Sequence, residues 1–357
     1  MKHLELFAGI GGFRRALDLL GKDGIMDFTS VGFSEIDAKA KSTYKSNFNV
    51  EGEVDMGDVV AFTSQKINIE SLPDFNLLTG GFPCQTFSVM GSQLGFGEDR
   101  GQMFFRIMDI LSIKHPQYAL LENVKNLYKH DSGKTYKRIE KELSNEGYYA
   151  YPILLNTCDF SLPQKRNRIF IFATKDDLGS TFSSEFTAQN IQSCFQKHIK
   201  QSSVITCNST LDLLSKQVDK KYFLSERIKP TILADGSANF KSKSDINQLI
   251  ARTLTASMHK MHRACQDNYF SQDFIDSNGE INHVLDYTKE QLATLDIRKL
   301  TPEEAFMLQG FPDDFAISGR KAGVSDGALY KQAGNAVSVN VVYAILLYLI
   351  KNGIIKE

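Results

Sequence analysis

The stretch Leu4-Glu5-Leu6-Phe7-Ala8-Gly9-Ile10-Gly11-Gly12-Phe13 decides the fold class. Leu4 to Phe7 is a short apolar run, the length of a strand, and Gly9, Gly11 and Gly12 stop it. Phe13 to Leu20 then has helical spacing, with Gly21 expected as the C-terminal cap. Glycines between a strand and a helix let the backbone approach a ligand closely, and the helix start offers free N–H groups. A dinucleotide fingerprint would place a further glycine at position 14, but Arg14 stands there. The loop therefore suits a nucleoside cofactor without a pyrophosphate better than it suits NAD. Glu35, just past the second expected strand, is placed to accept hydrogen bonds from a ribose diol, and Gly57-Asp58-Val59 can set an acid near an adenine amino group.

Outward from this loop, strands and helices alternate. Val31 to Ser34, Phe75 to Thr79, Tyr118 to Leu121, Ile153 to Asn156 and Arg168 to Ala173 read as strands, and Met103 to Ile113 and Thr135 to Leu143 as helices. The alternation predicts an α/β fold with a parallel sheet covered on both faces, whose ligands bind beyond the carboxyl ends of the strands. After about Thr174 the rhythm is lost, and residues 179–300 are rich in Ser, Asn, Gln, Lys and Asp. Segment 197–263 carries 12 Lys+Arg against 5 Asp+Glu, interleaved with Tyr222, Phe223, Phe240, His259 and His262. Charge alone leaves two readings open, a solvated variable insertion or a surface that meets phosphates. Order returns at Arg298. Thr301-Pro302-Glu303-Glu304 predicts a helix start with Thr301 as N-cap and Glu304 completing a capping box, and Gly310 ends that helix. The last 20 residues predict an apolar helix packed on the sheet.

Composition narrows the class further. The chain has 357 residues, 42% of them hydrophobic and 23% charged, which are ordinary globular values, and its length suggests one large domain and a smaller one. With 41 Lys+Arg and 42 Asp+Glu the net charge is −1, so the chain is no polycation, though a local basic face is allowed. The longest apolar run, Val341 to Ile350, is far short of the roughly 20 residues that cross a bilayer. Met1-Lys2-His3 leads straight into the first strand with no cleavage-site pattern. The 5 cysteines (84, 158, 194, 207, 265) contain no Cys-x-x-Cys, which suits a reducing cytoplasm.

Three segments bring reactive side chains to the expected carboxyl edge. Gly80-Gly81-Phe82-Pro83-Cys84-Gln85 presents a cysteine to a cleft; the alternative is a buried structural thiol. Glu122, in Leu120-Leu121-Glu122-Asn123-Val124, leaves a carboxylate at the end of an apolar strand, where it needs a partner or a purpose. Gln164-Lys165-Arg166-Asn167-Arg168 sets two guanidinium groups two residues apart, facing the same way if the segment is extended. A Cys, an acid and paired Arg around one edge can attack an electron-poor ring and bind its carbonyl oxygen. His259, His262 and Cys265 are spaced by three, but with no fourth ligand evident they read as groove or phosphate contacts, and no metal is expected.

These segments, in this order, resemble the cytosine-5 DNA methyltransferases of bacterial restriction-modification type. The matching blocks are Phe7-Ala8-Gly9-Ile10-Gly11-Gly12, Gly81-Phe82-Pro83-Cys84-Gln85-Thr86-Phe87-Ser88, Glu122-Asn123-Val124 and Gln164-Lys165-Arg166-Asn167-Arg168. Arg298-Lys299-Leu300-Thr301-Pro302-Glu303 with Leu308-Gln309-Gly310-Phe311-Pro312 follows, and Gly334-Asn335-Ala336-Val337 closes the series. The resemblance covers residues 1 to about 175 and 298 to 357.

It implies a Rossmann-like S-adenosylmethionine-dependent sheet, formed by 1–178 and 326–357, and a smaller target-recognition domain with a hinge at 179–325. It implies Cys84 as nucleophile toward carbon 6 of a flipped cytosine in double-stranded DNA. Glu122 is implied at N3 and the exocyclic amine, and Arg166 and Arg168 at the O2 edge. S-adenosyl-L-methionine is implied against Phe7, Ala8, Gly9, Ile10, Gly11, Gly12, Glu35, Ile36, Asp58, Val59, Pro83, Asn335, Ala336 and Val337. Two of these depart from the family pattern: Ile36 stands where an aromatic residue often stacks on adenine, and Ala336 replaces a common Ser. The basic insertion takes the role of a variable recognition region, with Arg252-Thr253-Leu254-Thr255-Ala256 matching a short Thr-Leu element. DNA contacts are implied at Gln85, Ser88, Arg252, Thr253, Leu254, His259 and Lys260, and Gln85 to Gly101 as a lid over the base. A cytoplasmic monomer with a cognate restriction endonuclease completes the expectation. The alternatives are a tRNA methyltransferase of the same family, which the long basic insertion disfavours, and an inactive DNA-binding relative, which intact Cys84 and Glu122 disfavour.

Overall fold

The computed structural model describes residues 1–83, 103–236 and 242–356. Cys84, Gln85, Ser88, the expected lid at 85–101, Phe240 and Lys241 lie outside the described residues.

The chain divides into two compact units. The first comprises Met1–Asn156, Asn167–Val204 and Val341–Glu357 and contains a seven-stranded sheet in the order β3-β2-β1-β4-β5-β7-β6. The strands are β1 Lys2–Leu6, β2 Thr29–Phe33, β3 Val54–Asp55, β4 Leu77–Gly81, β5 Tyr118–Val124, β6 Tyr149–Asn156 and β7 Asn167–Thr174. The first five run parallel, but β7 is antiparallel to both β5 and β6. The expected all-parallel sheet is thus corrected to a mixed one. A parallel return from β6 to β7 needs a crossover of a dozen or more residues, usually helical. Residues 157–166 supply only the 3-10 turn Thr157–Phe160.

Three helices position the carboxyl edge: α1 Gly12–Lys22, α2 Ala38–Asn47 and α3 Val59–Thr63. Helix α1 runs past Gly21 to Lys22, and the left-handed residue that follows is Gly24 (φ +66), which corrects the expected cap. Leu4 and Leu6 of β1, Leu78 of β4, Leu121 of β5 and Ile171 of β7 pack with Ile107 and Leu111 of the helix Met103–Lys114 and Ile139 of the helix Lys134–Asn145. The helices Gly179–Glu185 and Ala188–His198 also belong to this unit, although the strand–helix rhythm was expected to end near Thr174. Their buried Phe182, Ile191 and Phe195, with buried Phe186 just past the end of the first, are the helical signal that the polar composition masks.

The second unit comprises Thr157–Arg166 and Ile205–Asn340. Its boundaries fall near 204 and 340 rather than at 178 and 325. It holds a two-stranded antiparallel pair, β8 Tyr269–Ser271 and β9 Ile297–Lys299, and a core that includes Leu224, Ile232, Ile246, Tyr269 and Ile297. The capping box at Thr301 forms as expected at the start of the helix Pro302–Met307, and Gly310 takes φ +88 beyond its end. Arg298 adds a bidentate pair to the same Glu304, with both Nη–Oε distances 2.8 Å and both side chains buried. The apolar C-terminal helix is Val339–Lys351, shorter than the expected last 20 residues because it ends before Gly353, which takes a left-handed φ of 67°. Asp326–Lys351 taken together has the length and hydropathy of a membrane span, but 89% of its most apolar window is buried inside the protein, as in a core helix.

Candidate active site

In the first unit the loops after β1, β2 and β3 converge. Ala8 N donates to Ser34 O at 2.9 Å, Gly11 N closes a turn onto Ala8 O at 2.7 Å, and Ser34 Oγ donates to Gly57 O at 3.0 Å. Phe7, Gly9 and Gly11 all take left-handed φ values (54°, 57° and 84°). A side chain on Gly11 would put its Cβ 2.3 Å from the Phe48 ring, so only glycine fits there. A Cβ on Gly9 would meet nothing within 4 Å, so this loop faces open space. Ala8 and Ile10 bury their side chains, which anchors the loop at its base. Gly12 opens α1.

Arg14 explains the missing fingerprint glycine. Its guanidinium pairs with Glu53 at 2.7 Å, donates to Asn49 O at 2.7 Å and lies 4.7 Å from the Phe48 ring centroid. Position 14 therefore ties α1 to the end of α2 and cannot be empty.

Glu35 Oε2 accepts from Gly9 N and Oε1 from Asp37 N, both at 2.7 Å. Burial pushes its carboxyl group up and these two N–H groups pull it back. The carboxylate is oriented beside the glycine loop with further lone-pair sites for a diol. Ile36 is 72% exposed next to it, an apolar surface left in water. Asp58 caps α3 by accepting from Val60 N at 2.9 Å, and Val59, the first residue of α3, is buried. An open left-handed glycine, an oriented carboxylate and an exposed apolar side chain on one edge fit an adenosyl group. Phe7 to Gly12, Glu35, Ile36, Asp58 and Val59 are the residues that would hold it.

Farther along the same edge, Glu122 of β5 pairs with Gly81 of β4 on one side and Phe170 of β7 on the other. Arg168 Nε reaches Glu122 Oε1 at 2.9 Å, and Arg168 Nη1 donates to Asn167 O at 2.9 Å. Both side chains of the pair are mostly buried, so the carboxylate has the charged partner its position demands. Two positioning features have no counterpart in the sequence reading. A Cβ on Gly81 would stand 3.2 Å from Glu122 Oε2, so glycine there leaves room for the acid. Buried Asn123 donates from Nδ2 to Phe82 O at 2.8 Å and fixes the turn entering Pro83, the last described residue before Cys84. Gly81 and Asn123 both stand in the matching sequence blocks, but nothing local says which backbone group an Asn will hold.

Arg166 does something different from Arg168. It is 2% exposed in the second unit, where Nη1 donates to Leu254 O at 3.1 Å and Nη2 to Gly334 O and Ala336 O at 3.1 and 2.8 Å. The expectation that both guanidinium groups face one ring is corrected: Arg166 is spent on three backbone carbonyls of the second unit. Gly334 is required because a Cβ there would sit 2.2 Å from the Thr255 backbone. Asn335 is exposed, whereas Ala336 and Val337 are buried.

The Thr-Leu element is likewise lashed down. Leu254 N donates to Gln164 Oε1 at 3.0 Å, Arg252 N to Asn268 Oδ1 at 2.8 Å, and Thr253 Oγ1 to Lys165 O. Leu254 is 1% exposed, so the expected DNA contact at its side chain is corrected to a packing role. Arg252 and Thr253 are half-buried, and His259 and Lys260 are exposed. His262 is held on Asp267 at 3.0 Å rather than directed at Cys265.

The C-5 cytosine-specific DNA methylase family model matches residues 1–351. The type II methyltransferase M.DsaV of Dactylococcopsis salina is 34% identical over 353 residues, covering 97% of this chain and 84% of that protein. M.HaeII of Haemophilus aegyptius is 34% identical over 344 residues, covering 96% and 91%. Among solved structures, the S. pombe Dnmt2 methyltransferase superposes with a TM-score of 0.73 at 21% identity over 99% of both chains, and an Entamoeba histolytica methyltransferase with 0.69 at 19%, over 100% of this chain and 99% of that one; these show the shared methyltransferase fold. The chain belongs to the C-5 cytosine-specific DNA methylases and is a DNA (cytosine-5-)-methyltransferase.

Proposed function

We propose that this enzyme methylates carbon 5 of one cytosine within a specific double-stranded DNA sequence, through a transient bond to Cys84 and with S-adenosyl-L-methionine as donor. The observation that carries the proposal is the Glu122–Arg168 pair at 2.9 Å, set beside the Gly81-Phe82-Pro83 turn that delivers Cys84. A stacked cytosine hides carbon 6, and enzymes that act on a base within a duplex take it out of the stack.

The Cys84 thiolate adds to carbon 6, and the electron pair of the 5,6 double bond moves to carbon 5 and the ring. Glu122 holds N3 and the exocyclic amine of the ring, and Arg168 keeps Glu122 in place and balances its charge. When bound, S-adenosylmethionine supplies an electrophilic methyl group on a sulfonium centre. Once carbon 5 is methylated, a base removes its proton. The carbon–sulfur bond then breaks, returning the thiolate and restoring the double bond. An alkyl thiol is mostly protonated at neutral pH, so Cys84 needs a nearby positive charge to react.

The second unit is the part that reads the DNA, with exposed His259 and Lys260 on its surface. Arg252, Thr253, Gln85 and Ser88 are further DNA-contact candidates, and Pro83, Asn335, Ala336 and Val337 further cofactor candidates. We place the enzyme in the bacterial cytoplasm as a monomer, paired with a restriction endonuclease of the same specificity. The test is an oligonucleotide carrying 5-fluorocytosine at the methylated position, incubated with S-adenosylmethionine. A denaturation-resistant adduct mapping to residue 84, absent from Cys84→Ala, is the expected result. No adduct from active enzyme would overturn the nucleophile assignment, and methyl transfer to tRNA in place of duplex DNA would overturn the substrate.

A further inference from the structure

The sequence concentrates positive charge in the insertion, yet the sheet's carboxyl edge carries a basic face of its own. We propose that Lys125, Tyr128 and Lys129 hold the sugar–phosphate backbone of DNA beside the target cytosine. The inference rests on the DNA-methylating function proposed above.

Strand β5 ends at Val124, paired with Arg168, and the chain turns at once into the 3-10 helix Lys125–Tyr128. Leu127 is fully buried and pins this turn, which leaves Lys125, Tyr128 and Lys129 on the surface. They wall a shallow cavity of about 230 Å³ whose floor includes Pro152 and Leu154 of β6 and Ile169 of β7. Strands β5 and β6 finish at the same edge, since β7 begins against both, so the cavity continues the edge that bears Glu122.

Its chemistry is mixed in a particular way. Tyr128, six residues after Glu122, is 51% exposed and Leu154 of β6 is 42% exposed, an apolar patch left in water. The Tyr128 ring lies 5.1 Å from that of Tyr136, which holds it in place. Neither Lys125 nor Lys129 forms an ion pair among the described residues, in contrast to Lys134, which reaches Asp131, and Arg138, which reaches Glu142. Lysine stems line an apolar wall while their ammonium groups stay at the rim. The complement is a polymer that alternates an apolar unit with a single negative charge, and deoxyribose–phosphate does so. Contacts of this kind position a duplex without reading its sequence.

Binding of the full chain to a labelled duplex should be followed by anisotropy between 50 and 200 mM salt, alongside methyl transfer to the same duplex. Each phosphate contact contributes about 0.9 to the slope of log K against log salt. The double variant Lys125→Gln, Lys129→Gln should lower that slope by about 1.8, and raise KM for DNA by the same factor whether or not the flanking sequence is altered. Tyr128→Ala should raise KM without changing the slope. An unchanged slope and KM in the double variant, with wild-type enzyme active on the duplex, would overturn this face alone. Wild-type enzyme that neither binds nor methylates the duplex would overturn the functional reading and this inference together. An unfolding midpoint equal to wild type separates these outcomes from misfolding.

Discussion

Arg166 and Arg168 stand two positions apart and serve opposite ends. Arg168 balances a carboxylate at the sheet edge, whereas Arg166 donates to three backbone carbonyls. Their substitution should therefore separate activity from stability. Arg166→Lys keeps the charge but loses the planar fork, so at least one of the three donations is lost; a loss of about 1–3 kcal/mol is expected in urea unfolding. Arg168→Lys should leave the unfolding midpoint close to wild type and slow methyl transfer by about 100-fold, measured at saturating substrates. Equal effects of the two variants on stability would contradict this division. Which of two neighbouring arginines is spent on packing is invisible in Gln164-Lys165-Arg166-Asn167-Arg168. The deciding carbonyls, Leu254, Gly334 and Ala336, lie far away in the chain.

At the scale of elements, signals confined to one turn were readable. The capping box at Thr301 formed as written because its two partners are three residues apart, and Thr301→Ala should cost about 1 kcal/mol of stability. The glycine loop between β1 and α1 was equally legible as a turn. The reason for each glycine was not: Gly11 is compelled by the rings of Phe48 and Tyr44. Gly11→Ala combines a left-handed φ with a Cβ clash, so it should displace the loop and weaken S-adenosylmethionine binding at least about tenfold by calorimetry, a cost of about 1–3 kcal/mol. Unaltered affinity would show that the loop does not meet the cofactor. Gly21 and Gly24 illustrate the converse limit, since both could end α1 and the left-handed position fell to the later one.

The whole molecule carries two buried titratable groups side by side in β1, and together they shape its response to pH. His3 is fully buried with Nε2 at 2.7 Å from Thr79 Oγ1, and burial, aided by the Arg14 charge, pulls it down to about 3. Glu5 is fully buried and desolvation pushes it up to about 8, opposed by Arg14 and Tyr44 and assisted weakly by Asp18. For His3 the unfolded chain takes up a proton that the folded one refuses, so stability is lost as pH falls from about 6.5 toward 3. For Glu5 the unfolded chain releases a proton that the folded one keeps, so stability is lost as pH rises from about 4.5 toward 8. Between 4.5 and 6.5 the two slopes oppose one another, and the contribution of this pair should be flat there. Glu5→Gln should remove the fall above pH 6.5, seen as unfolding midpoints that no longer decline toward pH 8. A persistent decline would place its cause elsewhere.

Sequence alone decided what depends on neighbours along the chain: the strand–glycine–helix opening, the carboxyl-edge placement of Glu122, the Thr301 cap and the family itself. Those features rest on contacts within a few residues, or on motifs whose order survives without coordinates. Tertiary structure alone decided the antiparallel turn of β7, the unit boundaries near 204 and 340, the packing duties of Arg166 and Leu254, and the gap that Gly81 leaves for Glu122. Each of these depends on a group distant in sequence, and a buried polar atom acquires its role only when folding selects the partner that replaces water.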